Sequence, residues 1–577
     1  MKRILTVLIL LTSSIFAQNY VGVENCGMGC HAAPLRTFPG FNSWKATLHS
    51  QIHLPPATDN MKGDFTQTVS MGSAYGNATV TFRVAAGEWF ATLNPATGSP
   101  VEYKIVSTYG GGWKQRYLVK IGQSHYMLPV QWNLLKYKNN SSGNWAAYNP
   151  QTWFTTSGSL KVQDNAFRAK SWDKTCAGCH VVPGNNTNTV NAVVTGSDTA
   201  WVYSWANNSS PANMVVGCES CHGHPSGFSG TGHVKKLTDL SYERKLDVCG
   251  QCHFRGYSKN QVFEYPYDET TGKTYPVGED LAGYIFAKPG LWPDGKTSKQ
   301  HHQQSQDFKY SAHFNTTTGM MTCVTCHDPH QETAQAHQLK QDFNSLTPGV
   351  GCVMCHADKA AETNGINNHS KHPQAISQCV SCHMTHNAVT ARSYDISNHS
   401  FMPIRPNLTI TYSNVTGGMI NTCAVACHRN GQGTRGGGPT FGITDATLTN
   451  WAEATDLALA DTLWRYYQIM YGIVGLEKEE SGVPTEFSLN QNFPNPFNPT
   501  TTISFSVAKA STMRLEIFNA SGELVNILVN QELAPGSYKY EWDSRSLHGY
   551  TMPSGIYFYR LISGNNTLAT KKMILMK

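Results

Sequence analysis

Every one of the sixteen cysteines in this 577-residue chain belongs to a close pair, and each pair is followed at once by a histidine. Six pairs have the form C-x-x-C-H: Cys176/Cys179/His180, Cys218/Cys221/His222, Cys249/Cys252/His253, Cys323/Cys326/His327, Cys352/Cys355/His356 and Cys379/Cys382/His383. Two carry one more residue between the thiols, Cys26/Cys30/His31 and Cys423/Cys427/His428. A three-residue constellation repeated eight times constrains the fold more than any hydrophobic pattern, because whatever these groups hold must be accommodated at all eight places.

Zinc uses C-x-x-C pairs two at a time and has no need of a histidine directly after each second cysteine. Disulfides would explain the even cysteine count in an exported chain but not the eight histidines. C-x-x-C-H is the signature of covalent haem attachment, with the thiols bound to the macrocycle and the adjacent imidazole to its iron. The expected cofactors are therefore eight covalently bound haem c groups, with His31, His180, His222, His253, His327, His356, His383 and His428 as proximal iron ligands. The chain reads as an octahaem c-type cytochrome.

Met1 to Ala17 begins with Lys2 and Arg3, continues through an apolar run and ends on a small residue, which reads as a secretory signal peptide. No other stretch has the length of apolar sequence that a spanning helix needs, so a soluble protein outside the cytoplasm is expected. Charged residues are 14% of the chain against a usual level of about 25%. The formal charge of +6 reverses once Lys2 and Arg3 are removed and each haem brings two propionates, to roughly −12. That balance excludes nucleic acid as an expected partner. Eight macrocycles can also replace aliphatic side chains as core, so little regular structure is expected between Lys170 and Arg429.

The expected organisation is a signal peptide (1–17), a first haem region with an inserted antiparallel β-subdomain (18–170), a region of haems 2 to 8 (171–476), a linker (477–484) and a β-sandwich (485–577). Segments Ala78–Val84, Trp89–Leu93, Val101–Ser107 and Tyr117–Ile121 carry the strand pattern of the insertion. A long helix is expected from Asp445 to Gly472, capped by Thr444 or Asp445, with Leu448, Trp451, Leu463, Tyr467 and Met470 packing on one side. The fold class is thus a multihaem cytochrome, mainly α and irregular around stacked haems, with a small β insertion and a C-terminal Ig-like sandwich.

Phe493-Pro-Asn-Pro-Phe-Asn-Pro-Thr-Thr-Thr-Ile, Gly522-Glu-Leu-Val, Gly555-Ile-Tyr-Phe-Tyr and the terminal Lys571-Lys-Met-Ile-Leu-Met-Lys resemble the type A C-terminal sorting domain read by the type IX (Por) secretion system. The resemblance implies passage across the outer membrane, the secretion machinery as partner, and an extracellular or cell-surface location, with the domain removed or exchanged for an anchor.

A second resemblance runs from Tyr20 to about Arg429. Tyr20-Val-Gly-Val-Glu-Asn-Cys, Trp44-Lys-Ala-Thr-Leu-His49, Cys218-Glu-Ser-Cys-His-Gly with His233, Cys323-Val-Thr-Cys-His-Asp-Pro-His330, Cys379-Val-Ser-Cys-His-Met and His399-Ser-Phe-Met-Pro-Ile-Arg-Pro resemble secreted multihaem cytochromes. That family is related to the tetrahaem cytochrome of ammonia oxidisers and to octahaem hydroxylamine oxidoreductase. The resemblance implies distal ligation by His49, His233, His330 and His399, and extends it to His313 and His372. Two further ligands are left open among His53, His224, His301, His302, His337, His369 and His386, while His125 is read as a surface residue. The chain departs from the family at Trp292-Pro-Asp-Gly, where many relatives carry His, and in its longer first motif.

A second protein ligand makes an electron relay and an open position makes a catalyst. The leading expectation is an extracellular carrier of electrons to or from other redox proteins, cytochromes or a mineral. The rival is an oxidoreductase acting on hydroxylamine, nitrite or a sulfur oxyanion at one open haem. There is no C-x-x-C-K motif, which counts against a lysine-ligated enzyme. A third reading is a subunit of a conducting filament.

Overall fold

The computed structural model describes residues 41–134, 143–184, 188–196, 198–206, 214–224, 235–374, 378–390, 395–428, 451–470, 477–479, 484–546, 551–564 and 566–576. The signal peptide, the first motif with Cys26, Cys30 and His31, His233 and the caps Thr444 and Asp445 lie outside them. The chain divides into two compact units. One comprises Met1–Gly290, Ser298–Asp342 and Val389–Arg392; the other comprises Leu291–Thr297, Phe343–Ala388 and Ser393–Lys577.

In the first unit, seven antiparallel strands follow one another in chain order: β1 Val69–Ser70, β2 Thr79–Ala85, β3 Glu88–Asn94, β4 Val101–Gly110, β5 Lys114–Ile121, β6 Ser124–Leu134 and β7 Gly143–Ala147. One face of this sheet closes over Val80, Ala91, Leu93, Tyr117, Val119 and Tyr126. The other face contributes Tyr109 and Leu118 to a second core with Trp172, Ala177, Tyr203, Phe263 and Tyr265. Tyr117 and Leu118 enter different cores because successive side chains of a strand point to opposite faces. A sheet buried on both sides shows no clean polar alternation, and β6 carries Pro129, which disguises it further. The ladder to β5 skips from Met127 to Gln131, so the proline sits in a bulge where it withholds no ladder bond.

In the second unit, helix Ala454–Met470 packs on Pro406–Thr411 around Ile404, Leu408, Met419, Ile420 and Trp451. The described helix starts at Ala454, so Trp451 lies ahead of it. Trp451 is fully buried all the same, and its N–H donates to Gly417 O at 2.9 Å. The C-terminal part has two four-stranded sheets. In one, Gly536–Trp542 pairs with Thr501–Val507; in the other, Ser511–Asn519 lies between Leu524–Leu533 and Gly555–Ser563.

Strand makes up 33% of the whole structure and helix 22%, the β insertion and the sandwich included, and the mainly α haem fold that was expected is not evident. The reason is local: around the cysteine motifs no apolar repeat extends beyond a turn or so, and helices without an amphipathic face to bury stay short.

Candidate functional site

Seven of the eight motifs lie in described residues, and each is built on a short helical turn. These are Ala177–His180, Cys218–His222, the last turn of Tyr242–His253, Cys323–Cys326, Gly351–Met354, Cys379–His383 and Ala424–His428. Positions i, i+3 and i+4 of a helix share a face, so one turn aims both thiols and the imidazole of C-x-x-C-H the same way. The stretched motif solves the same problem differently. Ala424–His428 is a π-turn, whose hydrogen-bonded ring is one residue wider, and the widening absorbs the extra residue between Cys423 and Cys427. Local packing fixes the turns: Thr322 and Thr325 form a capping box on Cys323–Cys326. At Gly178 a Cβ would lie 2.2 Å from the Tyr265 ring, so that motif position accepts only glycine.

None of the fourteen described cysteines is in a disulfide, and all but the exposed Cys355 are half-buried. Thiols of different motifs meet within each unit. In the first, Cys249 and Cys323 lie close enough to act on one another, Cys249 raised and Cys323 lowered, and Cys252 Sγ donates to Cys179 O at 3.2 Å. In the second, the Cys352 thiol, which donates to Phe343 O at 3.9 Å, neighbours Cys379 and holds it down to about 7. Burial pushes Cys221 and Cys423 up to about 12.

The motif histidines have companions. His222 stacks with His330 at 6.1 Å between ring centroids and His383 with His369 at 5.8 Å. His428 faces His372 at 6.3 Å. His180 has two neighbours, His53 at 6.0 Å and His302 at 6.1 Å. Two imidazoles on opposite sides of one metal ion, with metal–nitrogen distances of about 2.0 Å, have centroids about 6.3 Å apart. The Nδ1 atoms are anchored: His222 donates to Lys235 O at 2.8 Å, His327 to His337 O at 2.9 Å, His383 to Phe401 O at 2.8 Å, and His372 to Ser370 O at 2.6 Å. That leaves Nε2 as the nitrogen with a lone pair, the second-shell arrangement of a ligating histidine. The residues present thus fit a haem iron.

His49 is held down to about 4 by burial and by His253 and His327. Burial, then His253 and His49, hold His180 down to about 3. His253 Nδ1 lies 3.2 Å from Gln304 Oε1, His399 Nδ1 donates to Ser397 O at 3.0 Å, and His313 O accepts from Tyr242. His356 is exposed and acts electrostatically on His369 and His383.

His53, His302 and His369, left undecided in the sequence, each stand beside a motif histidine here. Nothing in their spacing announced it: His53 and His302 come from loops more than a hundred residues from His180, and no motif ties His369 to His383 fourteen residues on. Tyr109, whose hydroxyl is 2.9 Å from His180 Nε2, was also missed. His125 is a correction: it is buried, its ring 3.2 Å from the fully buried carboxylate of Asp173. Trp292 is buried too, and its Nε1 donates to Asn387 O at 3.0 Å.

Two family models match parts of the chain. Residues 491–576 match the secretion system C-terminal sorting domain, which indicates type IX export to the cell surface or extracellular space and implies contact with that machinery. Residues 292–357, which include two motifs, match cytochrome c554 and c-prime, which implies covalent haem c. The chain is therefore an exported, cytochrome-like protein. No curated protein matches it. Among solved structures, similarity extends to dimeric latent PorU from Porphyromonas gingivalis, at 22% identity over 16% of this chain and 10% of that one, with a TM-score of 0.15. PorZ, a surface component of the type IX secretion system of the same organism, is 17% identical over 17% of this chain and 13% of its own, with a TM-score of 0.13. FlgD from P. aeruginosa is 18% identical over 16% of this chain and 75% of its own, with a TM-score of 0.13. This chain thus spans a small fraction of the length of PorU and PorZ. No described helix is long and apolar enough to cross a membrane.

Proposed function

We propose that the chain is an extracellular octahaem cytochrome that carries electrons along mostly bis-histidine haems to or from redox partners at the cell surface. The observation that carries this reading is the pairing of motif and non-motif histidines at 5.8–6.3 Å: His222 with His330, His383 with His369 and His428 with His372. In this reading those partners, His302 or His53 beside His180, and His49, His233, His313 and His399 at other motifs, fill the distal positions. The bound haems supply one-electron carriers whose potentials follow from axial ligands, burial and hydrogen bonds. The chain's own part is to fix spacing and orientation. One-turn helices aim two thiols and an imidazole together, carbonyls hold Nδ1, and contacts such as Cys249 with Cys323 support short separations between neighbouring motifs.

A second reading is an oxidoreductase with one open haem. Electron paramagnetic resonance of the oxidised holo-protein, with and without nitrite and hydroxylamine, separates the two. The carrier gives only low-spin signals, unmoved by either ligand; a high-spin signal that shifts on addition makes the protein an enzyme. Intact mass fixes the number of haems independently.

A further inference from the structure

Strand β5 places Lys114, Arg116 and Leu118 on one face, two residues apart, and Leu118 shows which face it is, since it packs with Ala177, Tyr265, Cys176 and Cys179. Arg116 is therefore a guanidinium directed to the side of the sheet that receives the Cys176–His180 motif. It is 7% exposed. Nε donates to Gln131 Oε1 at 3.0 Å and the guanidinium stacks 3.4 Å above the Tyr148 ring. Neither partner carries negative charge, and among the described residues no carboxylate forms an ion pair with it.

More positive charge converges here. Arg255 also acts on Tyr148; its Nη1 is 3.5 Å from His301 Nε2, and its buried Nε has no hydrogen-bond partner. Lys114, Arg116 and Arg255 all act on His301. Lys114 and Arg116 act on His180, and Arg116 acts on Tyr109 and Cys176. The facing carboxylate is Glu264, whose Oε1 already pairs with Lys288 at 2.7 Å. A desolvated guanidinium without a counter-charge is strongly unfavourable, and its planar fork of donors matches a carboxylate or oxyanion.

We propose that Arg116, with Arg255, forms an anion site beside the Cys176–His180 motif that takes a carboxylate or small oxyanion. Two sources supply that chemistry: a propionate of the haem at Cys176 and Cys179, or a free oxyanion from solution. The propionate source rests on the haem reading above, whereas the free-anion source stands without it.

The test uses full-length holo-protein as wild type, Arg116→Gln and Arg116→Lys, with Arg255→Gln as a second variant should Arg116→Gln not fold. Arg83→Gln, at an exposed pair with Glu102, is the control. Haem content by intact mass comes first, so that failure of the haem reading shows separately. Calorimetric titration with nitrite at fixed ionic strength is followed by a spectroelectrochemical redox titration. Stoichiometric nitrite binding that leaves the electron paramagnetic resonance signals unmoved, weakened by about tenfold or more in Arg116→Gln, as expected for loss of a charge-assisted pair, and unchanged in the control, establishes a free-anion site away from the iron; nitrite binding that is unchanged in Arg116→Gln or that moves those signals overturns it. No nitrite binding, with one redox transition moved in Arg116→Gln and restored in Arg116→Lys, assigns the anion to a propionate. If nitrite does not bind and every redox transition coincides with wild type, the proposal is wrong.

Discussion

The C-terminal sandwich and the motif-bearing stretch before it are held together by different means. Among its described residues the sandwich has a core of twenty buried side chains, including Ile503, Phe505, Leu515, Trp542, Tyr559 and Leu561. Thr501–Val507 alternates buried and half-buried positions without a break. Between Phe308 and Ile404, by contrast, Val353 and Ala388 are the only buried apolar side chains among the described residues. That stretch presents half-buried cysteines and anchored histidines instead. The contrast teaches that its packing depends on what the cysteines and histidines hold, whereas the sandwich needs only its own chain.

The largest test of that difference is to prevent haem attachment. In the full-length haem-free chain, hydrogen exchange of residues 309–403 should approach the unstructured limit while residues 501–507 and 511–519 keep their protection. Equal protection of both would erase the contrast. Next in size, Trp542→Ala should destabilise the sandwich by about 3–5 kcal/mol, measured by denaturant unfolding, and leave haem absorption unchanged. A loss of haem signal with that variant would mean that the two regions share their stability.

A pH series sharpens the comparison with a smaller effect. Burial holds His180 down to about 3 and drives His53 well below 6.5, and both border the aromatic core of Tyr109, Trp172 and Tyr265. Their neutral forms are favoured by folding, so in the haem-free chain their contribution is complete above pH 6.5. It falls away as the pH drops from 6.5 toward the folded values. Near-ultraviolet dichroism of the aromatic core should therefore weaken across this window, while exchange protection of the sandwich, with no histidine among its described residues, should not change. The smallest effect is expected from Tyr559→Phe. The hydroxyl donates to Asn490 O and accepts from Asn492 N, both at 2.8 Å. Its loss should cost the sandwich about 1 kcal/mol by the same denaturant measurement and leave the redox transitions in place.

How legible each part was follows from where its information lies. The strands Thr79–Ala85 and Glu88–Asn94 could be read directly from the segments Ala78–Val84 and Trp89–Leu93, because strand patterning is local. Strand β6 could not, since burial on both faces and a proline at its bulge remove the alternation. The helix after Trp451 was visible as a periodic segment, but its start was not, because Trp451 is fixed by a bond to Gly417 rather than by helical phase. His125 looked like a surface residue until Asp173, forty-eight residues away, met it.

The sequence by itself determined the chemistry of attachment: the composition and order of eight Cys–His constellations, and the sorting-domain motifs at the end of the chain. Those signals are contiguous, because one helical turn or one strand contains them. The tertiary structure alone decided which histidine stands beside which motif, that a π-turn accommodates the stretched Cys423 motif, and that Arg116 is buried against Cys176–His180. Apart from the π-turn, a backbone choice within five contiguous residues, these are meetings selected by packing and by the balance of buried charge, and no local pattern records them.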